Sequence, residues 1–166
     1  MLACSAVANN PDPSLELTTT KGSTRSLDDW ATIFHLCLVV LPDRPEATRF
    51  IEPIRRIFRQ FGDADCRTAI VVPSTAPIAA RILGKHEDES LVFVDPDKTL
   101  VKSLGLQHLP ALVHLRQDTT LVDAAEGWDP DEWQRVADGI ARAMKWTSPE
   151  LRTLRHPPAT AGWAVA

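Results

Sequence analysis

Short apolar runs of strand length alternate with amphipathic helical patterns along most of the chain. Residues 32–41, 66–72 and 91–94 are runs of apolar and β-branched residues with few polar interruptions. Strands of this composition are buried on both faces, as they are in a parallel sheet. Between the first two runs, Pro45 suits the first turn of a helix, and residues 50–61 carry apolar side chains at three- and four-residue spacing. This pattern predicts one helix with an apolar face that begins at Pro45, is kinked by Pro53 and ends at Gly62. The alternation predicts an α/β domain whose parallel strands are joined by right-handed crossovers.

Turn signals at both ends of this pattern add antiparallel strands. Residues 15–25 predict a β-hairpin whose turn contains Gly22, and residues 111–125 predict a second hairpin. Asp129 followed by Pro130 is a strong helix start, because Asp caps a helix and proline suits its first position. The predicted fold is therefore a central mixed sheet flanked by helices, with an N-terminal hairpin extension.

The predicted domain spans residues 15–146. Residues 1–14 are small, polar and proline-containing, and they predict a flexible N-terminus. Residues 147–166 are rich in proline and alanine and show no apolar period, so they predict a flexible C-terminal tail.

Composition and charge limit the classes of molecule that the chain is expected to bind. The chain has 166 residues, of which 44% are hydrophobic and 24% charged, with a formal net charge of −4. Phosphate binding requires a basic surface, so this balance disfavours nucleic acid. Arg55, Arg56 and Arg59 cluster in sequence, but we assign them to the solvent face of a helix. A protein or peptide is the expected partner, and the sequence does not specify the oligomeric state.

The same features predict a cytoplasmic protein without membrane contact. No apolar run reaches the length needed to cross a bilayer, and the first five residues have no basic and apolar signal region. The alternative is a membrane-anchored lipoprotein. Leu2, Ala3 and Cys4 resemble the end of a lipoprotein signal, and Cys4 would be lipidated if the true start lay upstream.

Three cysteines, Cys4, Cys37 and Cys66, are present, and no two of them form a C-x-x-C motif. If Cys37 lies level with Ile70 on the neighbouring parallel strand, the two sulfurs of Cys37 and Cys66 are about 10 Å or more apart at about 3.3 Å per strand residue. A disulfide requires Cα atoms within about 7 Å. We therefore predict free, buried thiols.

The five histidines show no metal-ligand spacing, and no motif for a phosphate or a cofactor is present. We expect neither a metal nor a cofactor. His114 lies within an apolar strand and is predicted to be a hydrogen-bonded core residue rather than a catalytic one.

The order of elements and four landmarks resemble the thioredoxin superfamily, in particular its TlpA-like and peroxiredoxin-like branch. The resemblance covers residues 15–146. The landmarks are the N-terminal hairpin, a kinked first helix with an interior proline at Pro53, the Leu109-Pro110 step that matches the family's cis-proline, and Gly127 before the last helix.

The resemblance fails at the residues that carry the family's chemistry. Aligned on Pro53, the C-x-x-C motif falls on four residues that are not cysteines, namely Pro45, Glu46, Ala47 and Thr48. Disulfide exchange requires a thiolate and a resolving thiol beside it. The family's buried acid falls near Val39 and its flanking tryptophan near Leu41, and both positions are apolar here. The peroxidatic Thr-x-x-Cys is also absent, because Ile51 follows Thr48 by three residues.

The resemblance implies that one part of the family site survives. In the family, the residue before the cis-proline offers its backbone to an extended peptide, and here that residue is Leu109. Arg44, Pro45, Pro110 and Trp128 would line the same groove. Trp128 has an alternative role, in which its side chain packs on the last helix instead of facing a ligand.

Two functions follow from these observations. The first is a redox-inactive module that binds a protein or peptide in this groove, and the second is a redox or detoxification protein that uses Cys66 or Cys4 with a partner thiol. A subunit role, with the groove as an interface in a larger assembly, is a third possibility. The sequence leaves enzymatic activity open but favours binding over catalysis.

Overall fold

A computed structural model describes residues 8–165. The lipidation candidate Cys4 lies outside these residues. The strands are β1 (Glu16–Thr19), β2 (Thr24–Ser26), β3 (His35–Val40), β4 (Cys66–Val72), β5 (Leu91–Val94), β6 (His108–Leu109), β7 (Ala111–Leu115), β8 (Leu121–Glu126) and β9 (Trp163–Ala164). The helices are α1 (Leu27–Ala31), α2 (Ile51–Phe61), α3 (Ala76–Leu83), α4 (Thr99–Leu104) and α5 (Pro130–Met144), with 3-10 turns at Pro45–Phe50 and Gly84–Glu89.

Seven strands form one mixed sheet in the order β2-β1-β5-β4-β3-β7-β8. Strands β5, β4 and β3 are parallel, and the others join as antiparallel neighbours. The predicted α/β architecture and the N-terminal hairpin are thus confirmed. No helix among residues 8–165 is long and apolar enough to cross a membrane.

Each face of the sheet carries a hydrophobic core. On one face, α2, α3 and α5 cover the sheet around Val39, Phe50 and Trp133, and on the other face α1 and α4 pack around Leu38 and Phe93. Every residue of β3 after His35 is buried, which explains its uninterrupted apolar sequence.

The register of β3 against β4 differs from the predicted one. Cys37 lies level with Thr68, not Ile70, so Cys66 is two strand positions away from that level rather than four. At about 3.3 Å per residue and about 4.8 Å between strands, the Cα atoms of Cys37 and Cys66 are about 8 Å apart. The separation is shorter than predicted but still exceeds the span of a disulfide, and both thiols are free.

The region around Pro53 also differs in detail. The sequence predicted a single helix kinked by this proline. Instead, a 3-10 turn over Pro45–Phe50 precedes α2, and Pro53 is the third residue of α2. The first turn of a helix tolerates proline because the backbone N–H groups there have no partner within the helix.

Both predicted flexible ends pack against the domain where the structure describes them. At the N-terminal end, the Asn9 amide donates to the Leu104 carbonyl over 2.7 Å. At the C-terminal end, Leu151 is fully buried, and its amide donates to Oε1 of Gln134 on α5 over 2.7 Å. Beyond it, β9 pairs with β6. The placement of the domain boundary at residue 146 is therefore corrected, because the tail supplies core residues and a strand.

A pair of histidines lies at the amino end of β3, far from the strand's carboxyl end. His114 is fully buried, and its Nε2 shares a hydrogen bond of 2.9 Å with Nδ1 of His35. Burial, and next the positive charge that His35 can carry, lower the pKa of His114 to about 4. The pKa of His35 is also lowered, first by burial and then by Arg116.

We expect stability to fall with acid because of His114. Its pKa in the unfolded chain is about 6.5, so the unfolded state binds the proton first, and stability is lost as the pH falls from about 6.5 towards 4. The loss from this residue amounts to about 3 kcal/mol. Urea unfolding of His114→Gln at pH 7 and pH 4.5 should show a less stable protein with a flatter pH dependence. The control His108→Gln, at an exposed histidine, should keep the wild-type dependence; an unchanged slope in His114→Gln would contradict this assignment.

Candidate functional site

Two chain segments meet at the carboxyl end of β3. Strand β3 is paired with β7 so that Val40 lies opposite Ala111. The segment that leaves β3 at Leu41 therefore runs beside Pro110, which immediately precedes β7. The peptide bond between Leu109 and Pro110 is cis, and the Pro110 carbonyl accepts a hydrogen bond of 2.8 Å from the Gly127 amide.

The four residues in place of the cysteine motif form most of a 3-10 turn beside this step. Pro45 and Thr48 are exposed, and Ala47 is buried in the core. The Thr48 hydroxyl donates to the Pro45 carbonyl over 3.0 Å, so it is engaged within the turn. Glu46 pairs with Arg44 over 2.5 Å, and this hydrogen bond lowers the pKa of the Glu46 carboxyl. None of these side chains offers a thiol for disulfide exchange.

The positions that would assist such chemistry are apolar and sealed. Val39 and Leu41 are both fully buried within the same core as Ala47. Burying an ionised acid at either position would cost free energy, because the carboxylate would lose its hydration. The residues present there, valine and leucine, have no ionisable group. Proton relay through these two positions is therefore absent from the site.

Neither described cysteine belongs to this turn, and Cys37 lies within β3. Cys66 is the first residue of β4 and lies level with His35, at the amino ends of the parallel strands. The turn lies at the carboxyl ends. Burial raises the pKa of the Cys66 thiol to about 12 and that of the Cys37 thiol well above its ordinary value. Both are therefore protonated at neutral pH and poor nucleophiles.

The groove predicted beside the cis-proline is occupied by the chain's own C-terminal tail. In β9, Trp163 lies opposite Leu109 and Ala164 opposite His108, in antiparallel pairing. The Val165 amide donates to the Gln107 carbonyl over 2.8 Å. We name residues 158–165 the tail segment.

The tail segment also touches two further residues of the predicted groove, Trp128 and Arg44. Thr160 and Trp128 exchange two backbone hydrogen bonds of 2.8 Å each. The guanidinium carbon of Arg44 lies 4.7 Å from the centre of the Trp163 ring, a cation–π distance. The structure thus brings Arg44, Leu109 and Trp128 together around one extended segment of the chain.

Trp128 has the packing role that the sequence offered as its alternative. Its side chain is fully buried, and its ring lies edge-on to Trp133 of α5 at 4.9 Å between centroids. Its indole Nε1 donates to the Pro157 carbonyl over 2.7 Å. The side chain therefore supports the floor of the groove, and its backbone pairs with the tail segment.

Two glycines allow the tail segment to cross the domain at very short range. Gly127 and Gly162 each have a φ of +79°, which favours glycine. A Cβ on Gly162 would lie 2.3 Å from the Leu109 carbonyl oxygen, and a Cβ on Gly127 would lie 2.8 Å from the Thr160 carbonyl oxygen. Neither position has space for a side chain while the tail is in place.

The sequence did not identify the residues that the tail contributes. Gly162 and Trp163 lie in a stretch with no apolar period, a pattern that is typical of a flexible end. The one available signal was an isolated Gly-Trp pair at the end of a proline-rich segment. Among residues 8–165, no cluster of three metal-ligating side chains exists.

Known proteins resemble this chain in structure only. No protein-family model and no curated protein sequence matches it. Peroxiredoxin Q of Xanthomonas campestris superposes with a TM-score of 0.65 at 15% identity, over 84% of this chain and 96% of that one. A putative thiol:disulfide interchange protein DsbE of Chlorobium tepidum gives 0.69 at 14% identity, over 82% and 97%. The exposed lipoprotein thioredoxin of Streptococcus pneumoniae gives 0.60 at 21% identity, over 74% and 96%. The chain therefore has the thioredoxin fold, and the predicted resemblance is confirmed at that level.

The burial of the two cysteines predicts their reactivity. In a Cys4→Ser chain, Cys37 and Cys66 should not react with Ellman's reagent at pH 8 in the native state, because a thiol with a pKa of about 12 is roughly one part in ten thousand thiolate there. Two thiols per chain should react after unfolding in guanidinium chloride, which serves as the control. Rapid reaction of one thiol in the folded protein would contradict the burial argument.

Proposed function

We propose that this thioredoxin-fold protein binds an extended segment of a partner protein in the groove beside Leu109 and Pro110, without disulfide chemistry. The observation that carries the proposal is the antiparallel pairing of the chain's own residues 163–164 with His108 and Leu109. A site that holds one extended segment through backbone hydrogen bonds has the donors and acceptors needed to hold another. Strand addition of this kind draws affinity from the main chain and specificity from side-chain pockets.

Glu126 prepares the groove for this role. Its Oε1 accepts hydrogen bonds from the amides of Gln107 and His108, over 2.6 and 2.9 Å. The carboxylate at the end of β8 therefore fixes the conformation of the segment that leads into Pro110. The Gln107 carbonyl remains directed at the groove, where Val165 donates to it. A preformed edge reduces the ordering cost of binding.

The second candidate function uses a thiol. It takes support from the names of similar structures, which include a thiol:disulfide interchange protein and a peroxiredoxin. In this chain Cys66 is buried, has a raised pKa and lies at the opposite end of the sheet from the groove. Cys4 lies outside the described residues. The geometry of the described residues therefore favours binding over thiol chemistry.

Insulin reduction separates the two candidates. We expect no turnover above the background of dithiothreitol alone, because the turn beside the cis-proline holds no thiol. The Cys66→Ser and Cys4→Ser chains should match the wild type, with an authentic thioredoxin as the positive control. Turnover that disappears in either variant would overturn the binding proposal in favour of the thiol candidate.

Selection from a random peptide library displayed on phage tests binding directly. The bait is the full-length chain carrying Trp163→Ala, which removes the contact between Arg44 and the tail and so loosens the resident segment. Enriched peptides should slow hydrogen exchange at residues 106–110 and leave the β1–β2 hairpin unaffected as an internal control. If no peptide is enriched over the matrix, or if protection falls elsewhere, this groove is not a peptide site.

A further inference from the structure

We propose that the tail segment is the resident ligand of the groove, and that the partner segment it mimics is extended and carries a glycine followed by an aromatic residue. This inference rests on the proposed function and specifies the chemistry of its partner. The domain holds the tail segment at two places, Trp128 with Thr160 on one side and residues 107–109 with residues 163–165 on the other. Between these two places the segment has to pass directly over Gly127 and Leu109.

The passage between the two places requires a glycine in the bound segment. The Gly162 Cα lies so close to the domain that an added Cβ would meet the Leu109 carbonyl oxygen at 2.3 Å, its carbonyl carbon at 2.9 Å and the Gly127 Cα at 3.3 Å. All three atoms belong to the backbone, so no side-chain rotation relieves the contact. The φ of +79° adds a second reason, because residues with a Cβ rarely adopt it. Any segment on the same path needs glycine at this point.

The position after the glycine fits an aromatic side chain. The Trp163 ring contacts two groups of the domain: the guanidinium carbon of Arg44 lies 4.7 Å from its centre, and the Phe50 ring lies in a T-shaped arrangement with it, at 6.2 Å between centroids and an interplanar angle of 74°. The Nε of Arg44 donates a hydrogen bond to the Glu46 carboxylate. This hydrogen bond orients the guanidinium independently of the bound aromatic ring. Phe50 is fixed in the core. An aliphatic side chain in this slot would pack on Phe50 but would lose the cation–π contact.

The positions on either side of the glycine–aromatic pair accept a wider range of side chains. Ala161 and Ala164 are exposed, so the groove does not enclose their side chains. The recognised feature is therefore short: a small turn of positive φ at glycine, an aromatic residue, and extended backbone that pairs with residues 107–109.

The tail competes with any partner because it is tethered to the domain. Leu151 is buried against α5 and anchors the chain seven residues before the tail segment begins at residue 158. A short tether gives an effective concentration on the order of millimolar. A partner segment therefore binds the wild-type chain more weakly than it binds a chain whose own tail has been expelled.

A labelled peptide with the sequence of residues 160–166 tests both parts of the proposal by fluorescence anisotropy. Gly162→Ala in the full-length chain should expel the tail, and the peptide should bind this variant roughly tenfold more tightly than wild type. Gly22→Ala is the matched control, since Gly22 also has a positive φ, of 92°, but no atom within 4 Å of an added Cβ. That control should bind as the wild type does. Hydrogen exchange of residues 158–165 should be faster only in Gly162→Ala.

Peptide variants test the glycine–aromatic requirement on the Gly162→Ala chain. Replacing the glycine of the peptide by alanine should abolish binding, and replacing its tryptophan by alanine should weaken binding by roughly tenfold. On the protein side, Arg44→Ala should weaken the tryptophan peptide, whereas Arg25→Ala should not. Arg25 is a matched control because it stacks on Trp30 at 4.9 Å in the region of the N-terminal hairpin. If Gly162→Ala does not fold, the Trp163→Ala chain replaces it, with Trp146→Ala as its control.

The outcomes separate this inference from the function on which it rests. If the peptide binds the wild type and the Gly162→Ala chain with equal affinity, the tail is not the resident ligand, and the inference is overturned. Display-selected peptides that protect residues 106–110 but lack the glycine–aromatic pair would also overturn it, although the proposed function would then stand. If neither the tail peptide nor any selected peptide binds the Gly162→Ala chain, the inference and the proposed function both fail.

Discussion

The pairing of β3 with β4 on one side and β7 on the other is the interaction on which the rest of the structure depends. It places β3, which is buried at every residue after His35, between two helical layers. It also sets Val40 opposite Ala111, which brings the segment after β3 next to the cis-proline step. The groove is a consequence of this register. Shifting β3 by one residue would turn its side chains to the other face and separate the two segments.

Apolar side chains occupy the positions directly behind the surface turn. Val39, Leu41 and Ala47 extend the core up to this turn. Each apolar side chain buried here adds hydrophobic stabilisation, about 1.5–3 kcal/mol for a valine or leucine, and removes a desolvated polar group. The polar groups of the site are backbone groups beside the cis-proline, namely the Gln107 carbonyl, the Pro110 carbonyl and the Gly127 amide, together with side chains that are already hydrogen-bonded within the domain, such as Arg44, Glu46 and Thr48. The chain's own tail segment is held at this site by main-chain pairing, and the turn at residues 45–50 contains no thiol.

Most of the fold could be predicted from the sequence, because burial leaves a periodic trace. The apolar run of residues 36–41 and the spacing of Ile54, Ile57 and Phe61 identified their elements correctly. The register of Cys37 against β4 could not be predicted to better than two residues. Residues 36–40 of β3 are all apolar, so no residue type indicates which position of β4 lies beside Cys37. The turn at Pro45–Phe50 was merged with α2 for a similar reason, since Phe50 continues the apolar spacing of the helix that follows.

The tail was mispredicted for a different physical reason, and the reason bears on its role. Its pairing with residues 107–109 uses backbone atoms, which any sequence has, and the contacts that depend on residue type are few and irregularly spaced, at Gly162, Trp163 and Val165. A segment held in this way shows neither helical nor strand periodicity, so composition alone assigns it to disorder. On the proposed function, the same property would make the tail segment exchangeable, because another strand that meets the same two requirements could form the same main-chain pairing at this short edge. Trp128 is buried, and its indole donates to the Pro157 carbonyl. Displacement of the tail segment would therefore expose an aromatic side chain, and a replacement segment that buried this side chain again would gain hydrophobic stabilisation.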